Sequence, residues 1–151
     1  MTRIPYSLCG TAYSHVMATE RTLSLFQDSY RRCTDHPRFF EMFHDEFIAS
    51  HEEVQAKFKG VDTQGQMRML RASLQMVVLS SQDSIDPSFY LEGVATRHAR
   101  GDLDIPAPLY DLWLEAILTV VSLADARFDA EVGEAWMEVL TPGIRYMRKR
   151  Y

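Results

Sequence analysis

The chain of 151 residues is poor in cysteine and carries more acidic than basic side chains. Its two cysteines, Cys9 and Cys33, form neither a metal-ligand spacing nor a disulfide framework. Reduced cysteines of this kind are typical of a cytoplasmic protein. The formal net charge of −5 argues against nucleic acid as a partner, because binding to a phosphate backbone requires an excess of lysine and arginine. We therefore expect a cytoplasmic protein with no nucleic-acid partner.

Membrane and secretion signals are missing as well. No run approaches the roughly 18 consecutive apolar residues that a membrane span needs. Residues 1–20 lack the basic-then-apolar order of a signal peptide. The sequence therefore predicts no membrane partner.

Patterns typical of strands and of several enzyme classes are also absent. No segment alternates apolar and polar residues for long, so no β-structure is predicted. The chain has no glycine-rich phosphate loop and no GxSxG nucleophile motif. Glu41 and His44 form an ExxH sequence, but a di-iron bundle needs that motif on each of two helices and the chain has one. Neither a di-iron site nor a serine nucleophile is predicted.

The chain does contain a succession of segments in which apolar residues recur every three or four positions, as in amphipathic helices. Taken in order, the predicted helices are 19–33, 38–50, 63–80, one beginning near residue 90, 106–125, and one following Asp129, and the segment 52–58 is predicted as a short helix or a turn. Pro142, within the last of them, should kink or interrupt it. We predict an all-α domain of six to eight helices over residues 19–151, preceded by an arm or short pre-helix at 1–18.

The segment 90–113 links two of these helices and carries a histidine. Val94 and His98 lie one turn apart, so they share an apolar helix face. Gly101 ends this helix, and two prolines suit the first turn of the next one. A histidine near a helix end on an apolar wall is what axial ligation of haem iron requires. A histidine on an apolar face is nevertheless more often a packed core residue, and both interpretations remain open.

Further candidate residues have an ordinary structural interpretation too. Gln66 and Leu70 lie one turn apart on the helix 63–80, and Gln66 alternatively closes a capping box with Thr63. The helix 38–50 has a phenylalanine-rich stripe that contains His44. The aromatic candidates in the chain, each of which is by itself an ordinary core residue, are Phe43, Phe47, Phe58, Tyr110 and Trp113.

The order and spacing of these helices resemble the globins, specifically the bacterial single-domain and flavohaemoglobin-like globins. The resemblance covers roughly residues 20–150. It rests on the segments RFFEMFHDEFIASHEEVQAKF, QMRMLRASLQ, RHARGDLDIPAPLYDLW and the final EAW. It implies a globin fold around haem b, with His98 as the proximal iron ligand. The pocket residues that it implies are Phe43, His44, Phe47, Phe58, Gln66, Leu70, Val94, His98, Tyr110 and Trp113.

Within that resemblance, each side of the haem has its own residues. Phe58 matches the phenylalanine that packs flat on the haem, and Tyr110 matches the tyrosine beside the proximal histidine. Gln66 and Leu70 become residues of the distal side, where the gas binds. His44 stands where many bacterial globins have a tyrosine. Three roles for His44 are open: a hydrogen-bond donor to the gas, a direct iron ligand, or an outward-facing side chain.

Two further departures bear on the expected activity. Flavohaemoglobins pair the proximal histidine with a glutamate whose position falls near Tyr151 in this chain, so the histidine here has less imidazolate character. No reductase domain follows residue 151 in this sequence. The first departure disfavours a peroxidase or dioxygenase, and the second implies that turnover would need an external electron donor.

The resemblance implies reversible binding of O2, CO or NO, as in oxygen transport or sensing. One alternative is an NO dioxygenase or pseudo-peroxidase that uses an external reductase. Another is a haem-based gas sensor or a haem-free globin-like interaction module. A homodimer formed through the last two helices is a further expectation.

Overall fold

The computed structural model describes residues 19–81, 86, 88–99, 101 and 103–151. In that part of the chain it contains no strand, and the predicted all-α fold is confirmed. The arm expected at residues 1–18 lies outside the described residues. The helices are α1 (Glu20–Asp35), α2 (Phe39–Ala49), α3 (Glu52–Lys57), α4 (Thr63–Ser80), α5 (Ser88–His98), α6 (Ala107–Ala124) and α7 (Ala130–Lys149).

Local capping chemistry sets several of the helix starts. The side-chain oxygens of Thr19, Asp62 and Asp129 accept hydrogen bonds from backbone N–H groups in the first turns of α1, α4 and α7. His51 caps α3 through its Nδ1 atom, which accepts from the backbone N–H of Glu53 at 3.1 Å. These groups satisfy the unpaired N–H donors of a helix start. The observed starts of these helices therefore lie close to the predicted ones.

Pro142 was expected to kink or interrupt the last helix, and the interruption is wrong. α7 is continuous from Ala130 to Lys149 with Pro142 inside it. Beside the proline, Gly143 lies so close to α4 that an added Cβ atom would be 3.0 Å from both Ser80 Oγ and Val77 Cγ1. An internal proline costs a helix roughly 3 kcal/mol. The buried packing of α7 against α4 offsets that cost, so the helix continues.

The core is formed where helices distant in sequence cross. α1 packs on α7, α2 packs on α6, and α4 contacts α2, α5 and α7. Trp136 of α7 is completely buried, and its ring meets Phe26 of α1 edge to face at 4.8 Å between centroids. Aromatic pairs in this geometry stabilise a core beyond the area that they bury.

α6 is the most apolar helix near the centre of the fold. Its 18 residues have a mean hydropathy of 1.4, so by length and composition this helix could cross a membrane. The expectation that no segment approaches a membrane span was therefore too strong. In this structure, 39% of that helix is buried inside the protein. Ile117, Val120 and Val121 are at most 1% exposed. A core helix needs the same apolar composition, so this is weak evidence for a membrane span.

Candidate functional site

His98 lies in the last turn of α5, half-buried, on the side of the helix that contains the buried residues Leu91 and Ala95. Its Nδ1 atom is 2.7 Å from the backbone carbonyl oxygen of Val94, one turn earlier. A carbonyl oxygen only accepts hydrogen bonds, so Nδ1 carries a proton. In the neutral ring the lone pair is then on Nε2, which is the state of a metal-binding histidine.

The turn after α5 is hydrogen-bonded to backbone carbonyl groups at the end of that helix, including the carbonyl of His98. The backbone N–H of Ile105 donates to the His98 carbonyl at 2.9 Å, and that of Asp104 donates to the Ala99 carbonyl at 3.1 Å. Asp104 has a left-handed backbone with φ of 53°, a conformation that aspartate tolerates better than most residues. The hydroxyl of Tyr151 donates to the Asp104 carboxylate at 2.6 Å. The end of the chain therefore supports the turn that carries the histidine.

Tyr110, in the first turns of α6, lies beside His98. The two ring centroids are 6.5 Å apart with an angle of 35° between the rings. Burial raises the pKa of Tyr110 to about 12, so the phenol is neutral at physiological pH. The sequence-based placement of Tyr110 next to His98 agrees with this geometry.

His44 of α2 is buried, with 7% of its surface exposed. Its Nε2 atom is 2.7 Å from Oε1 of Gln66 on α4, and its Nδ1 atom is 3.1 Å from a carboxylate oxygen of Asp45. The outward-facing role for His44 therefore disagrees with the structure. The contact between His44 and Asp45 could not be predicted from the sequence, because side chains of adjacent residues on a regular helix usually point away from each other.

Gln66 does not close a capping box. The N-cap of α4 is Asp62, whose carboxylate accepts from the backbone N–H of Gly65 at 2.6 Å, and Thr63 is already inside the helix. The Gln66 amide nitrogen instead donates to the carbonyl oxygens of Val61 at 2.9 Å and Phe58 at 3.2 Å. The sequence contained the signal for this correction, since aspartate is as good an N-cap as threonine.

A chain of aromatic rings runs from α6 through α2 to the residue after α3. Trp113 meets Phe43 at 5.7 Å, Phe43 meets Phe47 at 6.3 Å, and Phe47 meets Phe58 at 6.0 Å between centroids. The indole N–H of Trp113 donates to the Ser73 hydroxyl of α4 at 3.1 Å. This hydrogen bond satisfies the polar edge of a ring that is otherwise enclosed by apolar side chains.

No protein-family model and no curated protein matches the chain. The crystal structure of protein PA3967 from Pseudomonas aeruginosa PAO1, described as structurally highly homologous to a human hemoglobin, has 34% sequence identity to it and a TM-score of 0.79. The match covers 86% of this chain and 98% of that one. The chain belongs to the globin family. The fold that the sequence resemblance implied is thereby confirmed.

In this globin, nine of the ten predicted pocket residues form two groups. One contains Val94, His98 and Tyr110, and the other contains the histidine–glutamine pair and the aromatic rings. Leu70 is buried, one turn from Gln66 on α4. α6 joins the two groups, because Tyr110 and Trp113 are three residues apart and lie on the same helix face.

In the described residues of the globin, no group of three or more His, Cys, Asp or Glu side chains could hold a bare metal ion. Cys33 is completely buried, and burial raises the pKa of its thiol to about 12. A neutral thiol is a poor metal ligand and a poor nucleophile. Cys33 is therefore a packing residue, and His98 and His44 remain the candidate ligands.

Proposed function

We propose that this globin binds haem b through His98 and binds a diatomic gas, such as O2, CO or NO, reversibly at the ferrous iron. The observation that carries the proposal is the 2.7 Å hydrogen bond from His98 Nδ1 to the Val94 carbonyl. It orients the ring and places the lone pair of the neutral imidazole on Nε2. That donor chemistry fits the single axial histidine that haem requires.

The aromatic chain of the second group supports the same proposal. Haem needs apolar walls, and the aromatic chain of Phe43, Phe47, Phe58 and Trp113 supplies them close to a second polar group, the His44–Gln66 pair. The description of the Pseudomonas protein as homologous to a haemoglobin supports haem binding by analogy. When bound, haem would supply a ferrous iron able to take up a diatomic gas.

Each group of residues would have a separate role in haem and gas binding. His98 anchors the iron, and the aromatic rings exclude water, which slows oxidation of a bound gas complex. On the other side of the pocket, the polar group is the His44–Gln66 pair, and His44 Nε2 would have to leave the Gln66 carboxamide oxygen, 2.7 Å away, to donate to a bound gas. A donor of this kind favours O2, which becomes polar when bound, over the less polar CO.

An enzyme is less well supported than a gas-binding protein. The acceptor for His98 Nδ1 is a backbone carbonyl, which draws the proton less strongly than a carboxylate. Tyr110, with its raised pKa, stays neutral beside the ring. A histidine without imidazolate character donates little electron density to iron, whereas peroxidase and dioxygenase chemistry benefits from that density. An NO dioxygenase would in addition depend on an external reductase.

A homodimer through α6 and α7 has one observation in its favour. A groove of about 450 Å3 lies between these helices, lined by Leu118, Phe128, Gly133, Glu134, Met137 and Glu138. Two of its apolar side chains are exposed to solvent, Met137 at 40% and Phe128 at 37%. Exposed apolar patches of this kind are typical of protein interfaces.

Absorption spectra test the proposed function. The protein is expressed with haem supplied, and ferric, ferrous and CO-treated ferrous spectra are recorded. The wild type should show a Soret band that shifts on reduction and again with CO. His98→Ala should lose most of its haem and regain it when free imidazole is added.

A matched control separates loss of the ligand from loss of any histidine. His51→Asn replaces an exposed histidine while keeping an N-cap for α3, and it should retain haem like the wild type. A wild-type protein that shows no Soret band after haem is supplied would contradict the proposal.

A further inference from the structure

The orientation of the Gln66 side chain follows from its neighbours. One end of the amide is within hydrogen-bond distance of two backbone carbonyl oxygens, those of Val61 at 2.9 Å and Phe58 at 3.2 Å. Both only accept hydrogen bonds, so this end must be the NH2 group. The reversed amide would place three oxygens together. The other end, 2.7 Å from His44 Nε2, is therefore the carboxamide oxygen.

This orientation determines the tautomer of His44. The carboxamide oxygen of Gln66 accepts only, so His44 Nε2 must carry a proton to make the 2.7 Å contact. The other ring nitrogen, Nδ1, faces a carboxylate oxygen of Asp45 at 3.1 Å, which is also an acceptor. Gln66 thus favours the tautomer with the proton on Nε2, whereas Asp45 favours the tautomer with the proton on Nδ1.

The two acceptors differ in how firmly they are held. The Gln66 amide makes three hydrogen bonds, to α2 and to the segment before α4. The Asp45 side chain is 65% exposed, so water competes for its carboxylate. The His44 side chain itself is 9% exposed. Gln66 is half-buried, its oxygen is held by the two hydrogen bonds of its own NH2 group, and it meets His44 at 2.7 Å whereas Asp45 meets it at 3.1 Å. The closer and oriented acceptor therefore dominates, because water competes less for a hydrogen bond that is partly shielded from solvent.

We propose that Gln66 is a positioning residue that holds the proton on His44 Nε2 and thereby prevents His44 from coordinating the haem iron. A nitrogen that carries a proton has no lone pair for a metal. If Gln66 is removed, Asp45 is the acceptor that remains, and it selects the tautomer whose Nε2 lone pair binds iron. The inference deepens the proposed function and rests on it. It also bears on the roles that the sequence left open, because a His44 that donates its Nε2 proton to Gln66 is not an iron ligand.

The first test uses the protein without haem. Long-range 1H–15N NMR spectra distinguish the two neutral histidine tautomers, and the His44 signals are identified by their absence in His44→Phe. In the wild type, His44 should be in the Nε2–H form. In Gln66→Leu it should shift to the Nδ1–H form. The control Gln64→Leu, at an exposed position on the same helix, should leave the tautomer unchanged.

The second test uses ferrous protein reconstituted with haem. The wild type should give the spectrum of a five-coordinate iron, and Gln66→Leu the low-spin spectrum of a six-coordinate iron with two histidine ligands. The control Gln64→Leu, at the exposed position on the same helix, should remain five-coordinate. Adding His44→Phe to Gln66→Leu should restore the five-coordinate spectrum, because it removes the second ligand.

Different results of the two tests contradict the proposed function and the inference about Gln66. Absence of haem binding contradicts the proposed function, and the NMR test then decides the role of Gln66 in the tautomer. An Nδ1–H tautomer of His44 in the wild type would overturn the inference. So would a wild-type ferrous spectrum with two histidine ligands, or a Gln66→Leu spectrum that stays five-coordinate. Circular dichroism confirms that each variant is folded before it is interpreted.

Discussion

Arg32 forms a bidentate ion pair with the buried carboxylate of Asp125. Arg32 Nε lies 2.6 Å from one carboxylate oxygen and Nη2 lies 2.9 Å from the other. The side chain of Asp125 is completely buried, and Ser29 donates a further hydrogen bond to it at 2.6 Å. The indole N–H of Trp136 donates in turn to Ser29 at 2.9 Å. This network joins α1 to the end of α6 and to α7.

Asp125→Ala should lower the free energy of unfolding by about 3 kcal/mol, the cost of removing one partner of a buried ion pair. The loss arises because Arg32 and Ser29 would keep their desolvated donors without an acceptor. Chemical denaturation at neutral pH measures it. Asp28→Ala removes an exposed carboxylate that pairs with Arg31, and should change stability by less than about 1 kcal/mol. Equal effects of the two substitutions would contradict the assignment.

The same carboxylate should make stability depend on acid pH. Burial tends to raise the pKa of Asp125, but the hydrogen bonds from Arg32, Ser29 and the backbone of Arg127 outweigh it and lower the pKa below the usual 3.8. The contribution is fully present above the pKa of the unfolded chain. It is lost as pH falls from there through the lower pKa of the folded protein. The wild type should therefore lose more stability than Asp125→Asn over that acidic interval, as measured by urea denaturation. Parallel curves would refute the prediction.

Gly143→Leu should destabilise the fold by about 1–3 kcal/mol, the usual cost of overpacking a core. Its Cβ would lie 3.0 Å from Ser80 Oγ and from Val77 Cγ1 at the contact of α7 with α4. Gly93 offers the matched comparison, because a Cβ added there on α5 meets nothing within 4 Å. Gly93→Leu should be neutral or stabilising by up to about 1 kcal/mol, since glycine is a poor helix former. Thermal denaturation of the two variants decides between crowding and helix propensity.

Met137→Lys should weaken any homodimer formed through α6 and α7. Met137 is 40% exposed and lines the apolar groove between these helices, so a buried lysine would have to be desolvated at the interface. Analytical ultracentrifugation of the wild type and the variant measures the effect. Met69→Lys, at a position on α4 that is 50% exposed, is the control and should leave the association unchanged. If the wild type sediments as a monomer at every concentration, there is no dimer for the groove to form.

The helices of this globin could be predicted from the sequence because their signals are local. Apolar residues recur every three or four positions, and caps such as Asp129 lie within one turn of the groups that they satisfy. α4 runs from Thr63 to Ser80, as predicted. Where a local rule failed, at Pro142, the failure came from packing against a helix more than sixty positions away in sequence, which periodicity does not contain.

In the candidate site, too, some features follow from local sequence and others from tertiary contacts. The sequence by itself determined which residues lie on each helix face, and its resemblance to the globins implied that His98, Tyr110 and the phenylalanines would be neighbours. Only the tertiary structure decided how His44 and Gln66 are oriented, because their hydrogen bond joins residues 22 positions apart. The amide of Gln66 points one way because Phe58 and Val61 offer two carbonyl oxygens to its nitrogen. Periodicity places a side chain on a surface, whereas the direction of its hydrogen bonds depends on what folding brings opposite it.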